Sequence, residues 1–225
     1  MSVSAVLTPT FRYASTRQKP STYIRFTMNT RCIAAFDFDG TITKSDTMFA
    51  FIRFVKGEMA FLMGMIALAP TLLRLKMGFL SAQYAKEALM RYFFEGMSEK
   101  ELYEWGEKFC ETELPELIRP KAMEHILWHQ EQKHLCFLVT ASLTFWTKAW
   151  AEKNNFMLIA TEPEIQNGIF TGNISGNNCN GQSKVNRLLA ALELGEVYRV
   201  YGYGDSEGDR ELLRWVDVPH YKPFR

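Results

Sequence analysis

Three short apolar runs stand out along the chain. Each is too short for a helix, and each ends in glycine or polar residues. Ile33-Ala34-Ala35-Phe36 stops at Asp37-Phe38-Asp39-Gly40-Thr41. Cys136-Phe137-Leu138-Val139 stops at Thr140-Ala141-Ser142. A third run, from Val197 to Tyr201, enters Gly202-Tyr203-Gly204-Asp205, with Asp209 close behind. All three read as buried strands of a parallel sheet, with their polar residues gathered at its carboxyl edge.

The long segment between the first two runs has a different period. In residues 85–95, Ala85, Ala88, Leu89 and Tyr92 share one predicted face, with Lys86, Glu87, Arg91 and Glu95 opposite as a solvated side. Gly96 should stop that helix. Ser98, with Glu101 three residues on, starts another as a capping box whose apolar side is Leu102, Trp105 and Phe109. Pro115 and Pro120 punctuate the stretch after it. Further on, Phe145, Trp146 and Trp150 read as helix core, and Val185 to Leu194 as an amphipathic helix opened by Gly181-Gln182-Ser183-Lys184. Asn167-Gly168 reads as a hairpin turn. The predicted organisation is a tail over 1–30, a core from 31–44 plus 131–225, and an all-helical insert, or cap, over 45–130.

Residues 59–73 carry no charge and include Pro70. A spanning helix needs about 20 apolar residues, so a full membrane span is rejected. Two readings remain: helices packed within the insert, which is the base expectation, or a lid surface that touches lipid.

Composition narrows the function classes. A net charge of +1 over 225 residues gives no basic field to attract nucleic acid. The four cysteines, Cys32, Cys110, Cys136 and Cys179, have no paired spacing and fit a reducing, cytoplasmic setting. The first 36 residues hold no acid but several arginines, serines and threonines. They read first as an unstructured tail, with Met28 as a candidate start, and second as an organellar transit peptide. His125 and His129 stand at i, i+4, a spacing that can hold zinc, but packing in a helix is the expected reading.

The candidate chemistry lies at the strand tips. Two carboxylates at the end of a buried strand are costly unless a cation or a reaction needs them. Gly40 allows a tight turn close to a ligand. Hydroxyls after the second run, Lys184, and the acids after the third complete a set suited to a divalent cation and a phosphate, since Mg²⁺ prefers carboxylates, waters and phosphate oxygens.

In order and type these four motifs resemble those of the haloacid-dehalogenase superfamily of phosphohydrolases. The likeness spans about residues 33–213. The form Cys179-x-Gly181-x-x-Lys184 and the helical insert are similar to the phosphoserine-phosphatase-like branch, which also contains a bacterial phosphatidylglycerophosphate phosphatase. The resemblance implies an α/β fold, a doubly wound parallel sheet with an inserted all-helical cap. It implies Mg²⁺-dependent hydrolysis of a phosphomonoester through an aspartyl-phosphate. Asp37 would be the nucleophile and Asp39 the acid and base. Asp37, Asp205 and the backbone carbonyl of Asp39 would hold the metal. Thr140, Ala141, Lys184 and Gly40 would bind phosphate, with Ser142 as an alternative hydroxyl, and Asp209 would orient metal waters or Lys184. Asp46, nine residues after Asp37, and Arg91 are candidates for binding the rest of the substrate, although helix capping and solvation respectively would also explain them. The chain departs from many phosphoserine phosphatases in having Gly40 where they have Ser. The expected substrate is a small phosphorylated metabolite such as phosphoserine. A lipid phosphate, transfer to an acceptor other than water, or phosphate binding without turnover are the alternatives.

Overall fold

The computed structural model describes residues 31–193, 196 and 198–225. The 1–30 tail lies outside the described residues, as do Leu194 and Val197 at the ends of two of the runs above.

The described residues open with β1 (Arg31–Phe36), whose last four residues are fully buried. Burial on both sides explains the unbroken apolar run. Ala34 and Phe36 join an aromatic cluster on one face of the sheet. Ile33 and Ala35 join a smaller aliphatic cluster on the other. After the turn Phe38–Ile42 come α1 (Thr47–Lys56), α2 (Glu58–Lys76), α3 (Ala82–Phe94), α4 (Glu99–Thr112), α5 (Leu114–Leu117) and α6 (Pro120–Glu131). The chain returns through β2 (Leu135–Leu143), α7 (Thr144–Lys153), β3 (Met157–Thr161), β4 (Pro163–Gln166), β5 (Ile169–Ile174), α8 (Gln182–Ala191), β6 (Tyr198–Gly204), α9 (Arg210–Trp215) and β7 (Val218–Tyr221).

The main sheet has the order β3-β2-β1-β6-β7, with every pair parallel. From β1 the chain winds one way through β2 and β3, and the other way through β6 and β7. The reversal falls between β1 and β6, where open α/β sheets leave a crevice at their carboxyl ends. Helices cover both faces, as expected for a doubly wound α/β fold.

The insert enters and leaves side by side. Lys44 N–H donates to Leu117 C=O at 2.7 Å, and Arg119 N–H to Ile42 C=O at 2.9 Å. Beyond that crossing, α6 packs on the sheet, where His129 meets Phe36 and Tyr203 edge-on. The helices of the insert proper are therefore α1 to α5. Onto them docks the β4–β5 hairpin, whose turn residues Asn167 and Gly168 both take positive φ, 52° and 77°. Phe170 N–H donates to Met97 C=O at 2.9 Å and Gly96 N–H to Phe170 C=O at 3.0 Å.

One detail of the insert differs from the sequence expectation. The buried positions of α3 are Ala85, Leu89, Met90, Phe93 and Phe94, whereas Tyr92 is exposed. The packed face is turned because Phe93 and Phe94 must meet neighbours on two sides, Phe61 of α2 and Phe51 of α1. In addition, α2 runs unbroken through Pro70. Proline denies the Ile66 carbonyl its helical partner, and that segment is exposed, so water can take its place. The Ser98 hydroxyl does accept the Glu101 N–H, at 3.2 Å, as its spacing predicts.

Candidate active site

Asp37 follows directly on β1, and its N–H donates to the Tyr203 carbonyl of β6 at 2.9 Å. This bond ties the first strand tip to the third. Lys184, in the first turn of α8, is 1% exposed and reaches across to both tips. Its Nζ donates to Asp37 Oδ1 at 2.5 Å and to Asp209 Oδ1 at 2.6 Å. Asp209 spends its other oxygen on the N–H groups of Asp205 and Ser206 and on the Ser206 hydroxyl. A lysine this deep is tolerable only between charges of opposite sign.

The ionisation of the group follows from this placement. Burial would lower the Lys184 pKa, but Asp37 and Asp209 outweigh it and raise it. Burial pushes Asp37 up to about 7, helped by the charges of Asp209 and Asp39 and opposed by Lys184. For Asp209 burial also pulls upward, yet Lys184 and Ser206 leave it below the usual carboxylate range.

Gly40 is the tight point of the turn. Its φ is +76°, and a Cβ there would lie 2.6 Å from Asp205 Oδ2. Thr41 donates its hydroxyl to Asp205 Oδ1 at 3.4 Å, and Arg225 forms an ion pair with the same carboxylate. One carboxylate oxygen from each of Asp37, Asp205 and Asp209 lies within 4.8 Å of the others. An all-oxygen acidic set of this kind fits a hard divalent cation such as Mg²⁺, and the close approach that only glycine permits brings Asp205 into it.

Asp39 points away from that cluster. Its Oδ1 accepts the Thr47 N–H and hydroxyl, each at 2.6 Å, and its Oδ2 accepts the Ser142 hydroxyl. The carboxylate is thus held between the start of α1, in the insert, and the tip of β2. Trp146 supports the arrangement from behind, donating Nε1–H to Thr47 Oγ1 at 2.9 Å.

These groups surround a pocket of about 150 Å³ whose walls include Asp37, Asp39, Asp46, Lys86, Ser142 and Lys184. Asp46 is both a helix cap and part of the pocket wall. It caps α1, accepting the Met48 N–H at 2.9 Å. Burial, with the charge of Asp39 second, raises its pKa to about 6.

The hydroxyls at the second tip divide unexpectedly. Thr140 is fully buried, and its Oγ1 accepts the Ser142 N–H at 3.0 Å. Ala141 and Ser142, not Thr140, line the pocket. A register shift in the β2–β3 pairing between Val139 and Leu143 accounts for this: the strand end curls, and Ser142 turns inward. Arg91 also sits elsewhere. It donates to Asn173 Oδ1 at 2.5 Å and lines a cleft with the β4–β5 hairpin.

Lys86 is the residue that sequence periodicity passes over. On the predicted solvated side of α3, it instead points into the pocket, donating to the Ala141 carbonyl at 2.5 Å and to Asn178 Oδ1 at 2.8 Å. Burial lowers its pKa to about 8, against the pull of Asp39 and Asp46. Nothing in a helical wheel separates a solvated lysine from one facing another layer. The histidines of α6 do not converge on a metal position in this arrangement. His129 Nε2 is paired with the Tyr203 hydroxyl at 2.8 Å and Nδ1 with His134 Nδ1 at 2.7 Å.

A crevice at the switch point of a parallel sheet, an aspartate–lysine–aspartate bridge and a helical insert over the opening form a site of the kind that doubly wound α/β enzymes build at their strand ends. Comparison with known proteins agrees. Residues 34–214 match the haloacid dehalogenase-like hydrolase family, and the chain belongs to it. Protein CicA of Caulobacter vibrioides is 30% identical over 195 residues, 86% of each chain. A crystal structure of a protein of unknown function from Bordetella pertussis Tohama I has a TM-score of 0.73 and 29% identity, covering 85% of this chain and 89% of its own. A substrate-bound phosphoserine phosphatase complex has a TM-score of 0.56 at 13% identity, covering 86% of both chains, and so shares the fold.

Proposed function

We propose that the protein is a Mg²⁺-dependent phosphatase that hydrolyses a small phosphomonoester through an aspartyl-phosphate on Asp37. The observation that carries this reading is Lys184, buried between Asp37 and Asp209 beside a pocket that also contains Asp39. Asp37, Asp205 and the Asp39 backbone carbonyl would hold the cation, with Asp209 close by. When bound, the cation supplies positive charge against the phosphoryl oxygens and keeps Asp37 ionised.

The chain's own residues divide the work between two steps. An Asp37 oxygen attacks phosphorus as the bond to the leaving oxygen breaks, and Asp39 gives that oxygen its proton. Asp39, now a carboxylate, takes a proton from water as the water attacks the aspartyl-phosphate and frees Asp37. The Thr47 and Ser142 donors keep Asp39 aimed at the same point through both steps. Lys184 and the strand-tip N–H groups stabilise the developing phosphoryl charge. The insert, crossing the core at two adjacent strands, acts as a cap, and Lys86 and Asp46 present one positive and one negative group to the part of the substrate beyond the phosphate. That pairing suits a small zwitterionic ester such as phosphoserine.

A lipid phosphate is the second reading. A groove of about 690 Å³ shares Asp46 with the pocket and continues along Phe49, Ala50, Phe54 and Leu117, which would accept an apolar chain. The test is phosphate release, with and without Mg²⁺, from phosphoserine, sugar phosphates, nucleotides and phosphatidylglycerophosphate. Release from a small ester that stops on chelation is expected. Preference for the lipid would favour the second reading. Folded, Mg²⁺-binding protein that releases phosphate from none of them would overturn hydrolysis in favour of transfer or binding.

A further inference from the structure

Helix α2 breaks the usual relation between polarity and exposure. It has 19 residues, and its apolar side chains fall into two sets. Phe61 and Gly64 are buried, and Met65, Leu68 and Leu72 pack on the core cluster. A Cβ on Gly64 would lie 2.2 Å from the Phe93 ring, so α2 and α3 are pressed together there. The second set, Met59, Met63, Ile66 and Leu73, recurs at steps of four, three and seven, which is one face of a helix. That face is bare: Met63 is 64% and Ile66 76% exposed. Met77 and Phe79, the latter 73% exposed, extend the stripe past the helix end.

The carboxyl end of the stripe is cationic. Residues 53–80 contain Arg53, Lys56, Arg74 and Lys76 against the single acid Glu58, which is paired with Arg53 at 3.3 Å. Arg74 and Lys76 are exposed beside the stripe at the carboxyl end of α2, whereas Arg53 lies over the Phe61 ring and Lys56 donates to Met97 Sδ, both on the packed side. An anionic bilayer meets both demands at once. Its acyl boundary accepts the methionines, Ile66 and Phe79, and its phosphates accept Arg74 and Lys76. The packed Phe61–Gly64 face argues against a helix crossing the bilayer, since crossing would strip it from α1 and α3.

We propose that the exposed face of α2, with Phe79, is a docking surface for an anionic lipid bilayer, lying in its interface and holding the protein there. The surface lies outside the catalytic pocket and does not depend on which phosphomonoester is hydrolysed, so binding and turnover can be lost separately.

The test is flotation of the full chain with vesicles of phosphatidylcholine containing phosphatidylglycerol, and with phosphatidylcholine alone. Binding to the anionic vesicles, weakened by salt, is expected. The double variant Met63→Glu, Ile66→Glu should fall to background while keeping parental near-ultraviolet circular dichroism and any hydrolysis of a soluble ester. Arg74→Gln should weaken binding about fivefold, and Arg74→Gln with Lys76→Gln about 25-fold. Flotation of the Met63→Glu, Ile66→Glu variant equal to the parent's would overturn the proposal. So would a folded parent that binds neither vesicle. A parent that is dimeric by light scattering, becomes monomeric in the double variant and ignores vesicles would assign the face to a second copy instead.

Discussion

The pocket at the strand tips and the outer face of α2 invert the ordinary rule in opposite ways. One buries charge and the other exposes apolar surface. The pocket succeeds because its buried polar groups find partners within the chain. Lys184 bridges two carboxylates, and the remaining oxygens of Asp209 and Asp39 take N–H and hydroxyl donors. Among the described residues, no buried side-chain nitrogen or oxygen lacks a partner. The stripe on α2 has no such complement within the described residues. A buried charge without a partner is destabilising and is selected against or compensated. An exposed methionine costs the folded state little and needs a partner only when function supplies one.

The largest effect should come from the centre of the pocket. Asp37→Asn should lower phosphate release on the order of 10⁴-fold or more while thermal melting changes little, because the amide retains the shape but cannot attack phosphorus. Lys184→Met tests compensation itself. Without metal, Asp37 and Asp209 would face each other unpaired, and urea denaturation should show a loss of about 3–5 kcal/mol. Mg²⁺ should restore part of it, since a cation can stand in for the lysine. No loss in the metal-free variant would refute the view that the bridge holds the tips together.

Lys86→Met should leave stability within about 1 kcal/mol and lower kcat/KM roughly 10- to 100-fold, as expected when one polar contact to substrate or insert is removed. Parental kinetics would remove Lys86 from the site. A third buried group shows compensation without charge. Burial, with the neighbouring His134 second, lowers the His129 pKa to about 4, so it stays neutral between Tyr203 and His134. Below the ordinary histidine value near 6.5 the unfolded chain binds a proton that the folded chain refuses, so this contribution is full above about 6.5 and declines as pH falls toward about 4. Melts across that range should show a loss of about 2 kcal/mol that a His129→Gln variant lacks.

The smallest effect belongs to the outer face of α2. Ile66→Ser should change stability by no more than about 0.5 kcal/mol, whereas Phe61→Ala, on the packed side of the same helix, should cost about 3 kcal/mol. Similar costs for both would mean that the exposed face is covered in solution.

Much of the fold was legible because its signals are local. The unbroken run at Ile33–Phe36 reflects burial on two faces, and Asn167-Gly168 gives the paired positive φ of a hairpin turn. Asp37, Lys184 and Asp209 were legible as types and spacings, and the structure brings them into direct contact. The sequence could not reveal which hydroxyl of Thr140-Ala141-Ser142 turns inward, because that depends on a register shift set by β3. Nor could it reveal Lys86 in the pocket or Arg91 at the hairpin, since both lie on the polar side of α3 and only the layers packed around it tell them apart.

By itself, then, the chain determined its three central strands, the β4–β5 turn, a few helix ends such as Gly96 and Ser98, and the chemical character of the strand tips, all set within a few residues by burial, backbone freedom and charge. The tertiary structure decided which side chains share a space. It placed Lys184 between two tips that lie far from it along the chain, folded Lys86 over Ala141, and left the stripe from Met59 to Phe79 exposed among the described residues. Those outcomes depend on distances between layers, which no local pattern encodes.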